Sequence, residues 1–332
     1  MIRLGNCTLA VALAVLSGTA SAEPLTIRQG WVALTAAFSP IVFQKKEVMK
    51  HYGTSYVLQS SHFQGTSAEL TAIAAGEVDL VTIGFSTLAL GVERAGLDLR
   101  IVADGFQDGI EGHFSSNYIV RADSGIDKIE DLKGKVLSTN GLGGSLDVAL
   151  RAMLRKHGLE DKRDLTIIEA EFANMNSMLL SGKVDLIGQT PPFIYDPVLQ
   201  GKTRLLFTMR DAVGPTQMIA LAARAQFLDK NRAALQDFFE DYLRGIAWAL
   251  DPAHRDEVVA LVANATKQPA ERIGSFLYTG RDFYRDPGAR PNLDALQHDM
   301  ETQKSLGFIK DDLDVRKYAD LSFIDEAAKR LQ

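Results

Sequence analysis

Ser67-Ala68-Glu69-Leu70-Thr71-Ala72-Ile73-Ala74-Ala75-Gly76-Glu77-Val78-Asp79-Leu80 returns later in the chain as Asn176-Ser177-Met178-Leu179-Leu180-Ser181-Gly182-Lys183-Val184-Asp185-Leu186. Each copy reads as an apolar-faced helix that stops at Gly, takes one charged residue and enters a Val-Asp-Leu strand. Gly in that place is a helix C-cap, where positive φ is needed and a Cβ would clash. Each strand then ends in a turn: Gly84-Phe85-Ser86-Thr87 after the first copy, Gln189-Thr190-Pro191-Pro192-Phe193 after the second.

The flanks match as well. Strand, helix and strand are expected over 25–28, 36–51 and 55–59 before the first copy, and over 135–138, 145–157 and 165–169 before the second. A βαβαβ unit therefore occurs twice, and alternating strands and helices imply parallel sheets covered on both faces. One large sheet with a chance repeat is the alternative. Further strands are expected at 100–103, 118–121, 203–208 and 218–223. Helices are expected over 231–250, 256–265, 270–276, 293–306 and 322–330. The expected fold is α/β: two doubly wound lobes, joined by crossing segments near 114–117 and 209–224, with a cleft between them and a helical C-terminal part. Lobe I would hold 23–114 plus 224–332, and lobe II 115–223.

The first 22 residues read as a signal peptide. Arg3 supplies the positive end, Leu9 to Leu16 an apolar run, and Ala20-Ser21-Ala22 the small residues of a cleavage site after Ala22. The run is far shorter than the roughly 20 residues that span a bilayer. Cys7, the single cysteine, precedes the apolar run, whereas a lipid-anchoring cysteine would follow it. The mature chain would then have no thiol, which excludes disulfides, cysteine catalysis and thiolate metal sites. With 46% hydrophobic and 23% charged residues the composition is that of an ordinary globular protein. A formal charge of −6 argues against nucleic acid as a partner.

In open α/β sheets ligands sit outside the carboxyl ends of the strands, where helix N-termini converge. Gly65-Thr66-Ser67 and Gly141-Leu142-Gly143-Gly144-Ser145 open such helices, and free N–H groups at a dipole's positive end suit an anion. Thr66, Ser67 and Ser145 serve equally well as simple caps. Trp31, Phe85 and Phe193 stand at strand ends where an aromatic ring could wall an organic moiety, though a Phe there is as readily a plug in the core. Tyr118 offers a phenol donor, Ser86 a hydroxyl, and Gln189 and Thr190 neutral hydrogen-bonding groups. His113 and Arg210 flank the crossings, as ligand groups or as solvated hinge residues. No cofactor, metal site or catalytic group is expected: the six histidines are scattered, and neither His-Glu-x-x-His nor Gly-x-Ser-x-Gly occurs.

Three stretches resemble the periplasmic substrate-binding proteins of ABC importers, in the branch serving nitrate, sulfonates, taurine and thiamine-precursor pyrimidines. They are Leu70 to Gly84, then Tyr118 through Asp123-Ser124 to Ile129-Glu130-Asp131-Leu132-Lys133-Gly134-Lys135, and Ala247-Trp248-Ala249 leading into Asp256-Glu257-Val258-Val259. The resemblance implies two α/β lobes of the type II periplasmic binding fold, closing on a small-molecule ligand. It further implies an inner-membrane permease as partner, a periplasmic location, and a chain acting as a monomer. The ligand it implies is a small organic anion, a sulfonate or carboxylate, aromatic ones included. A neutral pyrimidine-type solute and a ligand-sensing receptor of the same fold are the alternatives. Gln189 to Phe193 departs from the Trp-Asp-Pro-like sequence common at that place in sulfonate and taurine binders. Thiamine-pyrimidine synthases that share the fold carry a cysteine-rich motif that the mature chain lacks.

Overall fold

The computed structural model describes residues 23–32, 38–63, 65–93 and 95–332. The expected signal peptide, and the start of the helix expected at 36, lie outside them. Among the described residues, ten strands form two five-stranded sheets. The first carries β1 (Leu25–Trp31), β2 (Tyr56–His62), β3 (Leu80–Gly84), β4 (Leu99–Asp108) and β10 (Thr216–Arg224), in the order β2-β1-β3-β10-β4. The second carries β5 (Asn117–Arg121), β6 (Val136–Thr139), β7 (Thr166–Glu169), β8 (Leu186–Gln189) and β9 (Thr203–Thr208), in the order β7-β6-β8-β5-β9. The repeat seen in the sequence is thus a repeat of topology, and the two-lobed α/β fold is as expected.

Two expectations need correction. The sheets are not wholly parallel: β10 runs antiparallel to β3 and β4, and β5 antiparallel to β8 and β9. The reason is where these strands come from. β4 and β9 leave their sheets at the carboxyl edge, so the chain enters the other lobe at that same edge and must run against its neighbours. Strand β10, expected inside 115–223, consequently belongs to the first sheet, and the return to lobe I falls before Thr216.

Among the described residues, twelve α-helices cover the sheets. They are α1 (Ser39–Val42), α2 (Thr66–Ala75), α3 (Phe85–Glu93), α4 (Ser145–Lys156), α5 (Phe172–Leu180), α6 (Met209–Val213), α7 (Ala225–Lys230), α8 (Arg232–Leu250), α9 (Arg255–Thr266), α10 (Ala270–Gly274), α11 (Leu293–Ser305) and α12 (Ser322–Arg330). The C-caps read from the sequence are real for Gly76 and Gly182, at φ +76° and +75°. The long helix expected over 36–51 is broken: after α1 only the short 3-10 turn Lys46–Val48 remains. The buried Asp241 carboxylate accepts from Lys50 N at 2.7 Å and His51 N at 2.8 Å, which draws those amides out of any helical ladder. Tertiary contact overrides local propensity here. Helix α8 buries Leu235, Phe238, Phe239, Tyr242, Leu243 and Ile246, spaced for one face, against Phe43 and Tyr56 in the lobe I core. Among the described residues no helix is long and apolar enough to cross a membrane.

The crossings, between β4 and β5 and between β9 and β10, are tied to each other. Asp108, fully buried at the end of β4, accepts from Ser115 Oγ at 2.6 Å, Ser116 N at 3.0 Å and Ser116 Oγ at 2.6 Å. Ser115 Oγ in turn accepts from Arg210 N at 3.0 Å, and Ser116 O from Met209 N at 2.8 Å, both on the second crossing.

Just before this point β4 bulges against β10: Ala220 faces Asp104 and Ile219 faces Phe106, which leaves Gly105 as the extra residue. A Cβ at Gly105 would lie 2.8 Å from both Ile219 O and Ile219 Cγ2. Gly105→Ala should therefore cost about 1–3 kcal/mol of stability, as overpacking does. Chemical unfolding measures it; an unchanged midpoint would mean that the bulge yields freely.

Candidate functional site

The strand ends of both lobes meet along one edge. On the lobe I side β1 and β2 are parallel and in register, with Trp31 opposite His62. Register partners in a sheet project to the same face, and the two rings pack with centroids 4.7 Å apart. His62 Nε2 donates to Val32 O at 2.9 Å, since a carbonyl only accepts. Gly65 caps α2 in extended conformation without any side-chain bond. Thr66 caps nothing; its hydroxyl lies 2.7 Å from Thr87 Oγ1 and so joins α2 to α3. Ser67 is exposed. Phe85 turns into the core instead of facing the cleft, while Ser86 beside it points across to lobe II.

On the lobe II side, α4 opens at Ser145, whose hydroxyl stands 3.5 Å from that of Ser86. The lobes are thus in contact between the two helix N-termini, and nothing bulky fits between these hydroxyls. The glycine loop before α4 holds its own carboxylates. Leu142 N donates to Glu169 Oε2 at 3.2 Å, and Gly143 N to Asp147 Oδ2 at 2.8 Å. Asp147 is buried, and Arg151 Nε supports it at 2.9 Å. Burial raises its carboxyl above the usual range against the opposing pull of Arg151. Two amides expected to receive a ligand's charge are therefore already engaged by acids. Gly143 needs its positive φ of +77°, and a Cβ on Gly144 would lie 3.0 Å from Gly141 O.

Several expected residues turn inward. The Tyr118 ring is fully buried, stacked on Phe207 at 4.2 Å, and its phenol donates to Leu146 O at 2.6 Å. It fixes the first turn of α4 and offers no free donor. Gln189 is likewise buried: Nε2 donates to Asn176 Oδ1 at 2.8 Å and Phe172 O at 3.1 Å, and Oε1 accepts from Thr190 N at 3.2 Å. Asn176 Nδ2 donates on to Phe193 O at 3.0 Å. Thr190 and Phe193 remain half-buried at the edge, with Phe193 stacked on Phe172 at 5.8 Å. At the crossings His113 packs on Tyr284 with centroids 5.2 Å apart, and Arg210 is exposed.

Nothing in the sequence sets Glu69, a first-turn acid of α2, apart as a site residue. Its carboxyl is fully buried and accepts from Thr82 N at 3.1 Å and Thr82 Oγ1 at 3.2 Å. A Cβ on Gly30 would lie 3.0 Å from Glu69 Oε1, so the group sits directly under the strand end that carries Trp31. Burial pushes it up to about 8, against the Thr82 bonds. The guanidinium on the same strand, Arg28, is paired with Asp79 at 2.5 Å.

One grouping among the described residues has the donor set of a metal site: His51, Asp237 and Glu240. Its acids already serve protein cations and a hydroxyl. Asp237 accepts from Ser55 Oγ at 2.5 Å and Arg330 Nη1 at 3.1 Å, and Glu240 from Arg244 Nη2 at 2.9 Å. The cluster reads as an ion-pair network tying α12 to α8.

Glu69 gives a signed pH prediction. Its folded pKa stands above its ordinary value of 4.5, so the native state holds the proton more tightly than the unfolded chain. The stability it contributes is full below about 4.5 and is lost as the pH rises to about 8. Asp104 and Asp108, raised by burial to about 7 and about 6, act in the same sense. The difference between wild type and Glu69→Gln isolates the one group. Unfolding at pH 5, 6.5 and 8 should show the wild type losing stability faster than the variant, and parallel curves would place the Glu69 pKa near normal.

Residues 61–255, more than half of the chain, match the family described as NMT1/THI5 like. No curated protein matches the chain. Among solved structures, the periplasmic aliphatic sulphonate binding protein SsuA from Escherichia coli is similar at 20% identity and a TM-score of 0.70, over 90% of this chain and 98% of that one. The periplasmic nitrate-binding protein NrtA from Synechocystis PCC 6803 is similar at 16% identity and a TM-score of 0.73, over 93% and 90%. The desulfurization enzyme DSZB shares the fold at 15% identity and a TM-score of 0.63, over 93% and 100%. Identities this low carry the fold alone, whereas the match over 61–255 carries kinship: the chain belongs to the NMT1/THI5-like family.

Proposed function

We propose that the chain is the solute-binding component of an ABC importer, exported to the periplasm, which captures a small molecule between its lobes and delivers it to a membrane permease. The observation that carries this reading is the shared edge. The carboxyl ends of both sheets face one another across paired crossings, the place where α/β folds bind ligands. Kinship with the NMT1/THI5-like family and the fold of sulphonate- and nitrate-binding proteins support it. We read the site as binding and not catalytic, although DSZB has the same fold. The hydroxyls of Ser86 and Ser145 face each other, and the His62 imidazole is committed to Val32 O and Trp31.

The ligand reading shifts from the organic anion expected at the start to an uncharged planar solute. Leu142 N and Gly143 N are engaged by Glu169 and Asp147, and Arg28 and Arg151 are paired with acids. The surfaces left are aromatic, Trp31 and Phe193, with the half-buried hydroxyl of Thr190 beside them; the hydroxyls of Ser86 and Ser145 are buried against each other, and that of Thr66 lies on Thr87. A solute bound only by the folded chain stabilises it by RT ln(1 + [L]/Kd), about 2.7 kcal/mol at a hundredfold excess over Kd. In a thermal-shift panel of taurine, nitrate, benzoate and cytosine, cytosine should give the largest shift, and Trp31→Ala should abolish it. A larger shift with taurine or benzoate returns the organic anion; flat curves across the panel count against the whole reading. Export is tested apart from this. The exported protein should begin at Glu23 by intact mass, and retention of residues 1–22 or a lipid adduct would overturn that part.

A further inference from the structure

The turn after β8 does more than wall the cleft. Two residues beyond Phe193, Tyr195 leaves lobe II and lies on lobe I. Its phenol donates to Arg281 O at 2.5 Å, and its ring stacks on Phe276 with centroids 5.4 Å apart and 27° between planes. The Arg281 guanidinium covers the ring at 4.4 Å, and Phe114, on the first crossing, meets it edge-on at 6.1 Å. The turn itself is held firmly. Ile194 N donates to Thr190 O at 3.0 Å, Tyr195 N to Pro192 O at 3.1 Å, and Asn176 Nδ2 to Phe193 O at 3.0 Å.

We propose that Tyr195 is a positioning residue that sets the angle between the lobes, carried on the same turn as Phe193 so that cleft wall and lobe contact move as one. The proposal rests on the two-lobed solute-binding reading. The chemistry suits the role: one hydrogen bond to a main-chain carbonyl, one ring–ring stack and one cation–π contact converge on a single side chain. A contact of this kind locks an orientation, because the carbonyl fixes the phenol's reach and the stacked ring fixes its plane. Gln189 acts behind it. By holding Asn176 it braces the carbonyl of Phe193 and hence the turn. Other polar contacts between the lobes among the described residues run through α4, where Arg155 Nη1 donates to Ser305 O at 2.6 Å and Ser145 faces Ser86.

The test needs no solute. In the full chain carrying Cys7→Ser, Lys183→Cys on lobe II and Asp229→Cys on lobe I take spin labels, and pulsed electron resonance reads the distance between them. Both positions are exposed. Tyr195→Ala should lower the ratio of closed to open molecules roughly tenfold, the loss expected for a hydrogen bond together with a ring contact. Tyr195→Leu, which keeps apolar bulk against Phe276, should move the same way by less, and it decides the matter if the alanine variant does not fold. Arg281→Ala leaves the accepting carbonyl in place and removes only the cation–π contact, so it should open the lobes by clearly less than Tyr195→Ala. An unchanged distance distribution in a folded Tyr195 variant overturns the proposal, since a merely local role would lower the unfolding midpoint without moving the lobes. An Arg281→Ala opening as large as that of Tyr195→Ala overturns the phenol's part in it. Because no solute is present, the outcome stands apart from whether any compound in the panel binds.

Discussion

The Asp108 carboxylate is the interaction on which the arrangement of the two lobes depends. It sits where β4 ends and takes the hydroxyls of Ser115 and Ser116 together with the Ser116 amide. Those serines carry the bonds to Met209 and Arg210, so one buried acid gathers both crossings into a single joint. Burial still outweighs these donors and holds the group up at about 6. A buried carboxylate this well supplied with donors is costly to remove and costly to leave unpaired. The crossings therefore cannot slide past one another without first exposing it.

Much of the topology follows from this joint. Two chain segments pass side by side at the carboxyl edge, so each lobe receives its incoming strand from that edge. β5 and β10 must then run antiparallel, and each takes the fourth place in its sheet. The same geometry brings the N-termini of α3 and α4 together at Ser86 and Ser145. Two like dipole ends facing each other would repel. The first-turn acid Asp147, buried against the Gly143 amide, sets an acceptor at the α4 end and so offsets part of that repulsion.

The fold was legible because its signals are local. A Gly C-cap followed by a charged residue and a short apolar strand is written into consecutive residues, and it occurs twice. The lobe assignment of β10 was not legible, because strand direction depends on where the chain has been and not on the strand's own residues. The site was read less well for a related reason. Phe85, Tyr118 and Gln189 stand at strand ends, as ligand residues do, yet core neighbours claim Phe85, Leu146 O claims the Tyr118 phenol, and Asn176 claims Gln189. Which way such a side chain turns is settled by partners far away in sequence. Tyr195 was hidden for the same reason: nothing near Phe193 announces Phe276 or Arg281.

The buried acids carry the last step. Glu69, Asp104, Asp108 and Asp299 all lie in lobe I or at its joint, and burial raises every one of them. Burial thus makes each of them harder to ionise than an ordinary carboxylate. Glu69, the one directly beneath the Trp31 strand end, is raised furthest of those with a value, to about 8. Beneath the aromatic wall of lobe I, then, lies a carboxyl that burial disposes to hold its proton, while the glycine loop of lobe II is tied to the side chains of Glu169 and Asp147. Arg28 and Arg151 are paired with Asp79 and Asp147, which leaves Arg210, exposed at the second crossing, as a cation near the edge. Discrimination among solutes would then rest on ring stacking and on hydroxyl geometry, which read the shape and hydrogen-bonding pattern of a molecule more than its charge.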